Sequence, residues 1–230
     1  MQPTAVLFDM DGVIVNSERY WVEMEHGEIL PAAVDGSPDT TETTGMNFRE
    51  IYDYLEARHE MTESKDEFVA RYEEAARDIY GEKVELQAGF RDLLAALRED
   101  GRTVALVSSS PHDWIDRMLD RFDLREEFDH IISAEEIDGK SKPEPDVYEY
   151  AAEQVGVAPE ECVAVEDSTN GVRSAKAAGL YAVGYRNQSD EELDLSAADD
   201  VAASPEELRE ILLGSETLFK RSRNSGNLRP

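Results

Sequence analysis

The sequence is poor in cysteine and in lysine, and it has no long apolar run. Its single cysteine, Cys162, excludes an internal disulfide and fits a reducing compartment. That residue lies in the apolar stretch Cys162-Val163-Ala164-Val165, where a buried strand thiol is the natural reading. No run approaches the roughly 20 apolar residues that span a bilayer. Met1 to Asp9 lead into an apolar run without a basic n-region, so the expectation is a cytoplasmic protein with no secretory leader. The four histidines (His26, His59, His112 and His130) are scattered, with no metal-ligand spacing. Lysine numbers six against seventeen arginines.

Acid is abundant. Asp and Glu total 52 against 23 basic residues, for a formal net charge of -29. Such a surface repels nucleic-acid phosphates and anionic lipids, so neither nucleic acid nor membrane is an expected partner. It would equally repel an anionic substrate unless a metal ion and local cations reversed the field. An excess of Asp and Glu with few Lys resembles the proteins of salt-in halophiles, where high salt screens self-repulsion. A chain of 230 residues, 40% of them hydrophobic, can bury one core domain and a smaller inserted one. A monomer is the simplest expectation.

Short apolar runs alternate with helical patterns. Ala5 to Phe8, Thr103 to Val107, His130 to Ile132, Cys162 to Val165 and Tyr181 to Val183 predict buried strands. Phe90, Leu93, Leu94 and Leu97 repeat at helical spacing, as do Ile115, Met118, Leu119 and Phe122. Ser204-Pro205-Glu206-Glu207 predicts a helix start with a capping box closed by Glu207. This alternation predicts an α/β fold: a parallel sheet covered on both faces. From Asn16 to Gln87 the alternation breaks. Phe48, Ile51, Tyr52 and Leu55 mark one helix there; Phe68, Tyr72, Ala76 and Ile79 mark another, capped by Thr62 or Ser64. Residues 16–87 therefore predict an all-helical insertion between core segments 1–15 and 88–213. Within it, Ala32 to Thr44 predicts a loop rich in Pro, Gly, Ser and Thr. Residues 214–230, with Lys220, Arg221, Arg223 and Arg229, predict a poorly ordered polar tail.

Four polar features fall at the ends of predicted strands, where open parallel sheets bind ligands. Asp9-Met10-Asp11-Gly12 brings two carboxylates past a strand, and Gly12 permits the turn. Ser108-Ser109-Ser110 offers hydroxyl and backbone N–H groups ahead of a helix, a cradle for phosphate. Lys140-Ser141-Lys142-Pro143-Glu144-Pro145-Asp146 holds two of the six lysines. Glu166-Asp167-Ser168 puts two acids at a strand end, poor packing but good ligands for a hard cation. Each alone also fits a plain turn or a helix cap; their order on successive strand ends is what points to a site.

In that order the four features resemble the motifs of the haloacid dehalogenase-like phosphotransferases, in the branch of phosphoglycolate phosphatases and β-phosphoglucomutases. The likeness spans about Pro3 to Leu213 and includes Gly171-Val172 and Ala175-x-x-Ala178-Gly179. It implies a Rossmann-like three-layer core with a helical cap inserted after the first motif. It implies Asp9 as nucleophile and Asp11 as general acid/base, with Ser108, Ser109 and Lys142 holding phosphate. A Mg2+ ion would be bound by Asp9, Asp167, the backbone carbonyl of Asp11, and Glu166 directly or through water. Thr44 to Arg49 resembles a specificity loop, with Asn47 or Arg49 reaching the remote end of a small phosphorylated metabolite. The implied reaction is hydrolysis of a phosphate monoester, phosphoglycolate or a sugar phosphate, through an aspartyl-phosphate. Mutases of this branch usually place a His shortly after the first motif; here the stretch is Asn16-Ser17-Glu18-Arg19-Tyr20-Trp21, which favours hydrolysis. A phospho-accepting signalling module also clusters Asp, Ser or Thr and Lys on a parallel sheet, but the helical insertion and second carboxylate argue against it.

Overall fold

The computed structural model describes residues 3–35, 48–186 and 193–214. Side-chain alternation along the first strand, β1 (Ala5–Phe8), sets the architecture. Val6 and Phe8 pack into one hydrophobic core and Ala5 and Leu7 into another. All four are fully buried, as in a strand covered on both faces. Parallel strands β2 (Thr103–Ser108), β3 (His130–Ser133), β4 (Cys162–Glu166), β5 (Tyr181–Tyr185) and β6 (Asp200–Ala202) complete a six-stranded sheet, ordered β3-β2-β1-β4-β5-β6. β1 pairs with both β2 and β4, and the chain reverses its direction of travel across the sheet at this point.

Helices α5 (Phe90–Glu99), α6 (His112–Phe122) and α9 (Pro205–Leu213) supply Leu94, Leu97, Ile115, Leu119 and Leu212 to the core shared with Phe8. Helices α7 (Asp146–Val155) and α8 (Thr169–Ala177) place Val147, Tyr148, Val172 and Ala175 against Leu7 on the other face. The fold is therefore the expected three-layer α/β core.

Between β1 and α5 the described chain is helical. α1 (Glu18–Met24) runs through a π-turn (Glu25–Ile29) into α2 (Leu30–Ala33). α3 (Phe48–Glu56) and α4 (Lys65–Asp78) follow, and α4 opens into a second π-turn (Ile79–Lys83). The insertion seats on the core through stacked rings. Trp21 and Phe48 each stack on Trp114 of α6, with centroids 5.1 and 4.8 Å apart. Its two connections to the core run side by side: Asn16 N–H donates to the Glu85 carbonyl at 3.1 Å, and Gln87 N–H to the Ile14 carbonyl at 2.9 Å.

Some local expectations need correction. β6 was not expected: it is three residues long and exposes Val201, so no apolar run announces it. The cap of α4 is Ser64, with a full capping box to Glu67, while the Thr62 hydroxyl donates to the Ala32 carbonyl. Ser204 caps α9, but the Glu207 carboxylate accepts from the Ala203 N–H rather than from Ser204, so the box is not closed. Ala32 and Ala33 belong to α2, so the expected loop does not begin at Ala32. The remainder of that loop from residue 36, and the basic tail from residue 215, lie outside the described residues. Among the described residues no helix is long and apolar enough to cross a membrane.

Candidate active site

The order of the sheet brings the C-terminal ends of β1 and β4 together at the point of reversal, where doubly wound sheets bind their ligands. Asp9 follows β1 and is 7% exposed; its N–H donates to the Val165 carbonyl of β4 at 3.0 Å. Glu166 and Asp167, also buried, end β4. Carboxylate oxygens of Asp9, Glu166 and Asp167 lie within 4.8 Å of one another. Gly12 has φ +75°, the left-handed turn that lets the chain leave β1 after Asp11.

Lys142 enters this trio from the loop before α7. Its Nζ donates to Asp9 Oδ1 and to Glu166 Oε1, each at 2.6 Å, and the side chain is 2% exposed. Lys140, its neighbour, is exposed. Burial would neutralise the ammonium, but the charges of Asp9 and Glu166 outweigh it and hold Lys142 protonated. Burial pushes the Asp9 carboxyl above the ordinary carboxylate range, with Lys142 opposing the rise and Glu166 and Asp11 adding to it. Glu166 is held further by the Tyr148 hydroxyl at 2.5 Å and, weakly, by Ser168 at 3.4 Å. Both its oxygens thus have protein partners, which suits a water-mediated role toward a cation better than a direct one.

The Asp11 carboxylate has partners of its own. Its Oδ1 accepts from the Ser17 hydroxyl and the Tyr80 hydroxyl, both at 2.5 Å, and its Oδ2 from the Ser110 hydroxyl at 3.0 Å. Ser17 stands at the N-cap position of α1 yet makes no capping bond with its side chain. Burial raises the Asp11 carboxyl above the ordinary range, and the three hydrogen bonds pull it back. The elevation therefore comes from desolvation, not from bonds that favour the neutral form. The Tyr80 hydroxyl in turn accepts from Trp21 Nε1 at 3.0 Å.

At the end of β2, Ser108 is buried and its Oγ accepts from the Ser110 N–H at 3.0 Å, which closes the loop. Ser109 is half-buried between them. Arg49 belongs to α3. Its guanidinium covers the Phe48 ring at 4.6 Å and pairs with Glu135 at 3.3 Å, on the rim of a cavity of about 260 Å³ with His112 and Trp114. Asn47 lies outside the described residues. The sequence reading did not single out Ser17, Tyr80 or Tyr148, and gave Ser110 no role of its own. Ser110 could have been taken from its triplet, but the other three reach the site across 6, 69 and 18 residues and carry no local signal.

The donors suit a hard cation. Buried acids outnumber the one buried lysine, and an uncompensated buried charge is costly. An all-oxygen donor set of this kind selects magnesium or calcium over softer metals.

Residues 6–185 match the family described as haloacid dehalogenase-like hydrolase. Hexitol phosphatase B of Escherichia coli (strain K12) is 36% identical over 185 residues, covering 79% of this chain and 83% of that protein. The phosphorylated carbohydrates phosphatase of Thermotoga maritima is 30% identical over 215 residues, covering 90% and 97%. The crystal structure of CbbY from Rhodobacter sphaeroides in complex with phosphate is similar with a TM-score of 0.76 at 25% identity, covering 88% of this chain and 95% of that one.

Proposed function

This chain belongs to the haloacid dehalogenase-like hydrolases, and from that membership we propose that it is a Mg2+-dependent phosphatase of small phosphate monoesters, phosphoglycolate or a sugar phosphate, with Asp9 as nucleophile. The observation that carries this reading is the buried trio of Asp9, Glu166 and Asp167, with Lys142 2.6 Å from Asp9, at the switch point of the sheet. The names of the relatives, phosphatases of hexitols and phosphorylated carbohydrates, support the substrate class.

Phosphoryl transfer asks for alignment and charge neutralisation. Asp9, Asp167 and the Asp11 carbonyl would hold Mg2+, with Glu166 behind; when bound, the ion offsets the charge of the phosphate and of the attacking carboxylate. Lys142 and the Ser108–Ser109 loop bind the phosphoryl oxygens. An Asp9 oxygen forms a bond to phosphorus as the ester P–O bond breaks, and the proton of Asp11 passes to the departing alkoxide. Asp11, now ionised, takes a proton from the water that attacks the aspartyl-phosphate. Inorganic phosphate leaves and the Asp9 carboxylate is restored. Residues 16–87 act as the cap over this site, and 1–15 with 88–213 as the catalytic core. The cap excludes water, and Arg49 and Asn47 read the substrate's remote end.

Asp9→Asn should abolish turnover of phosphoglycolate and hexose phosphates in Mg2+, measured as phosphate release. Appreciable hydrolysis by that variant, or isomerisation of a hexose phosphate without release, would sink the reading.

A further inference from the structure

Tyr80 lies outside the four strand-end motifs, yet it is the largest polar side chain touching Asp11. It comes from the π-turn that ends α4, a widened turn of the kind common at functional sites, and it is fully buried. Its oxygen is approached by the Trp21 indole N–H and by the Ser110 hydroxyl. The Trp21 indole N–H is a donor only, so the phenol oxygen must accept from it. The phenol hydrogen is then free to point at Asp11 Oδ1, 2.5 Å away. Trp21 is itself fixed, stacked between Tyr72 and Trp114.

The Asp11 carboxyl is therefore reached unequally. Oδ1 takes Ser17 and Tyr80, from the two chain segments that join the insertion to the core. Among the described residues Oδ2 takes Ser110, from the β2 loop. A serine hydroxyl turns to donate or accept, so Ser17 and Ser110 tolerate a proton on either oxygen. Tyr80, whose hydrogen is directed at Oδ1, disfavours a proton there. We infer that Tyr80, held by Trp21, is a positioning residue that keeps Oδ1 as acceptor and so assigns the catalytic proton of Asp11 to Oδ2. Oδ2 is the oxygen on the side of the Ser108–Ser110 loop, where the phosphoryl group is proposed to sit. This inference rests on the proposed role of Asp11 as general acid.

The test uses two substrates that differ in their need for an acid. An alkyl phosphate such as phosphoglycolate expels a poor leaving group and needs the proton; p-nitrophenyl phosphate expels a good one and hardly does. kcat/KM, which reports the step that breaks the ester bond, is measured for both in the wild type, Tyr80→Phe and Trp21→Phe. General-acid catalysis contributes about 10²–10⁴-fold. Tyr80→Phe should therefore lower the ratio of kcat/KM for phosphoglycolate over p-nitrophenyl phosphate by about tenfold or more. Trp21→Phe, which keeps an aromatic ring, though a smaller one, and removes the N–H, should shift it the same way by less. An equal loss on both substrates, or no loss, overturns the inference, because a structural defect lowers both alike. Absence of Mg2+-dependent turnover in the wild type would instead remove the phosphatase reading, and this inference with it.

Discussion

At the scale of single residues the site is a problem of packing charge. Four acids and one lysine converge where solvent is nearly excluded, and what separates their roles is which neighbour each oxygen finds. Glu166 shows how tight the fit is. A β-carbon built on Gly171 would meet Glu166 Oε2 at 1.8 Å and its carboxyl carbon at 2.1 Å. Gly171 sits in the first turn of α8, where alanine would ordinarily stabilise a helix by up to about 1 kcal/mol. Here the clash should win. Gly171→Ala should push Glu166 off Lys142 and Tyr148, lower stability by about 1–3 kcal/mol as overpacked cores do, and weaken the proposed Mg2+-dependent turnover at least tenfold. Thermal unfolding and a Mg2+ titration of activity check this; a variant that melts higher and works normally would show that Glu166 has somewhere else to go. The carboxylates of this site were legible in the sequence because strand ends are local. Asp9 and Glu166 each follow an apolar run directly, Asp167 comes next after Glu166, and the pairing of β1 with β4 brings these strand ends together. Tyr80 and Tyr148 were not legible, because each reaches its acid only after whole helices have packed.

At the scale of elements, the helical insertion carries a titrating group of its own. Glu25 opens the first π-turn, and its carboxyl accepts from the Tyr72 hydroxyl at 2.8 Å beside the aromatic stack. Burial pushes it from 4.5 up to about 7, against the pull of that hydrogen bond. The folded state thus holds a proton that the unfolded state releases between those values. The stabilisation is fully present below about pH 4.5 and is lost as pH rises through about 7. The full shift corresponds to about 3 kcal/mol, and the residue keeps some solvent contact, so about 1–3 kcal/mol is the working range. Glu25→Gln keeps a partner for Tyr72 and removes the titration. Its melting temperature should match the wild type near pH 5 and exceed it at pH 8.5; parallel curves across that range would show that the carboxyl is solvated after all. The helices themselves were foreseeable from spacing, since Phe48, Ile51, Tyr52 and Leu55 form one face and all four are buried. The two π-turns were not, because one extra residue per turn leaves no mark on a hydrophobic period.

For the whole molecule the governing quantity is a net charge of -29 on 230 residues. The sheet order and layers follow from where apolar runs fall, and charge has no part in them; charge acts on how firmly the compact state holds. With 23 basic residues to 52 acidic ones, more than half of the acids have no cation of their own to neutralise them. Pairs such as Lys65–Asp53 and Arg125–Asp120 are exposed and contribute little each. Self-repulsion of the remainder opposes compaction, and unfolding relieves it by spreading the charges apart. Screening should therefore stabilise the fold. The Debye length falls from about 10 Å at 0.1 M salt to about 3 Å at 1 M, so most of the gain belongs to the first few tenths molar. We expect the melting temperature to climb steeply in NaCl up to about 0.5 M and then flatten. Preferential exclusion of salt from the surface would instead give a rise that continues steadily into the molar range and that sulfate exceeds at equal ionic strength. A chain that melts at one temperature from 0.05 to 1 M NaCl would mean that its acids are matched by bound cations or by one another, and the halophile-like composition would then carry no energetic weight in this fold.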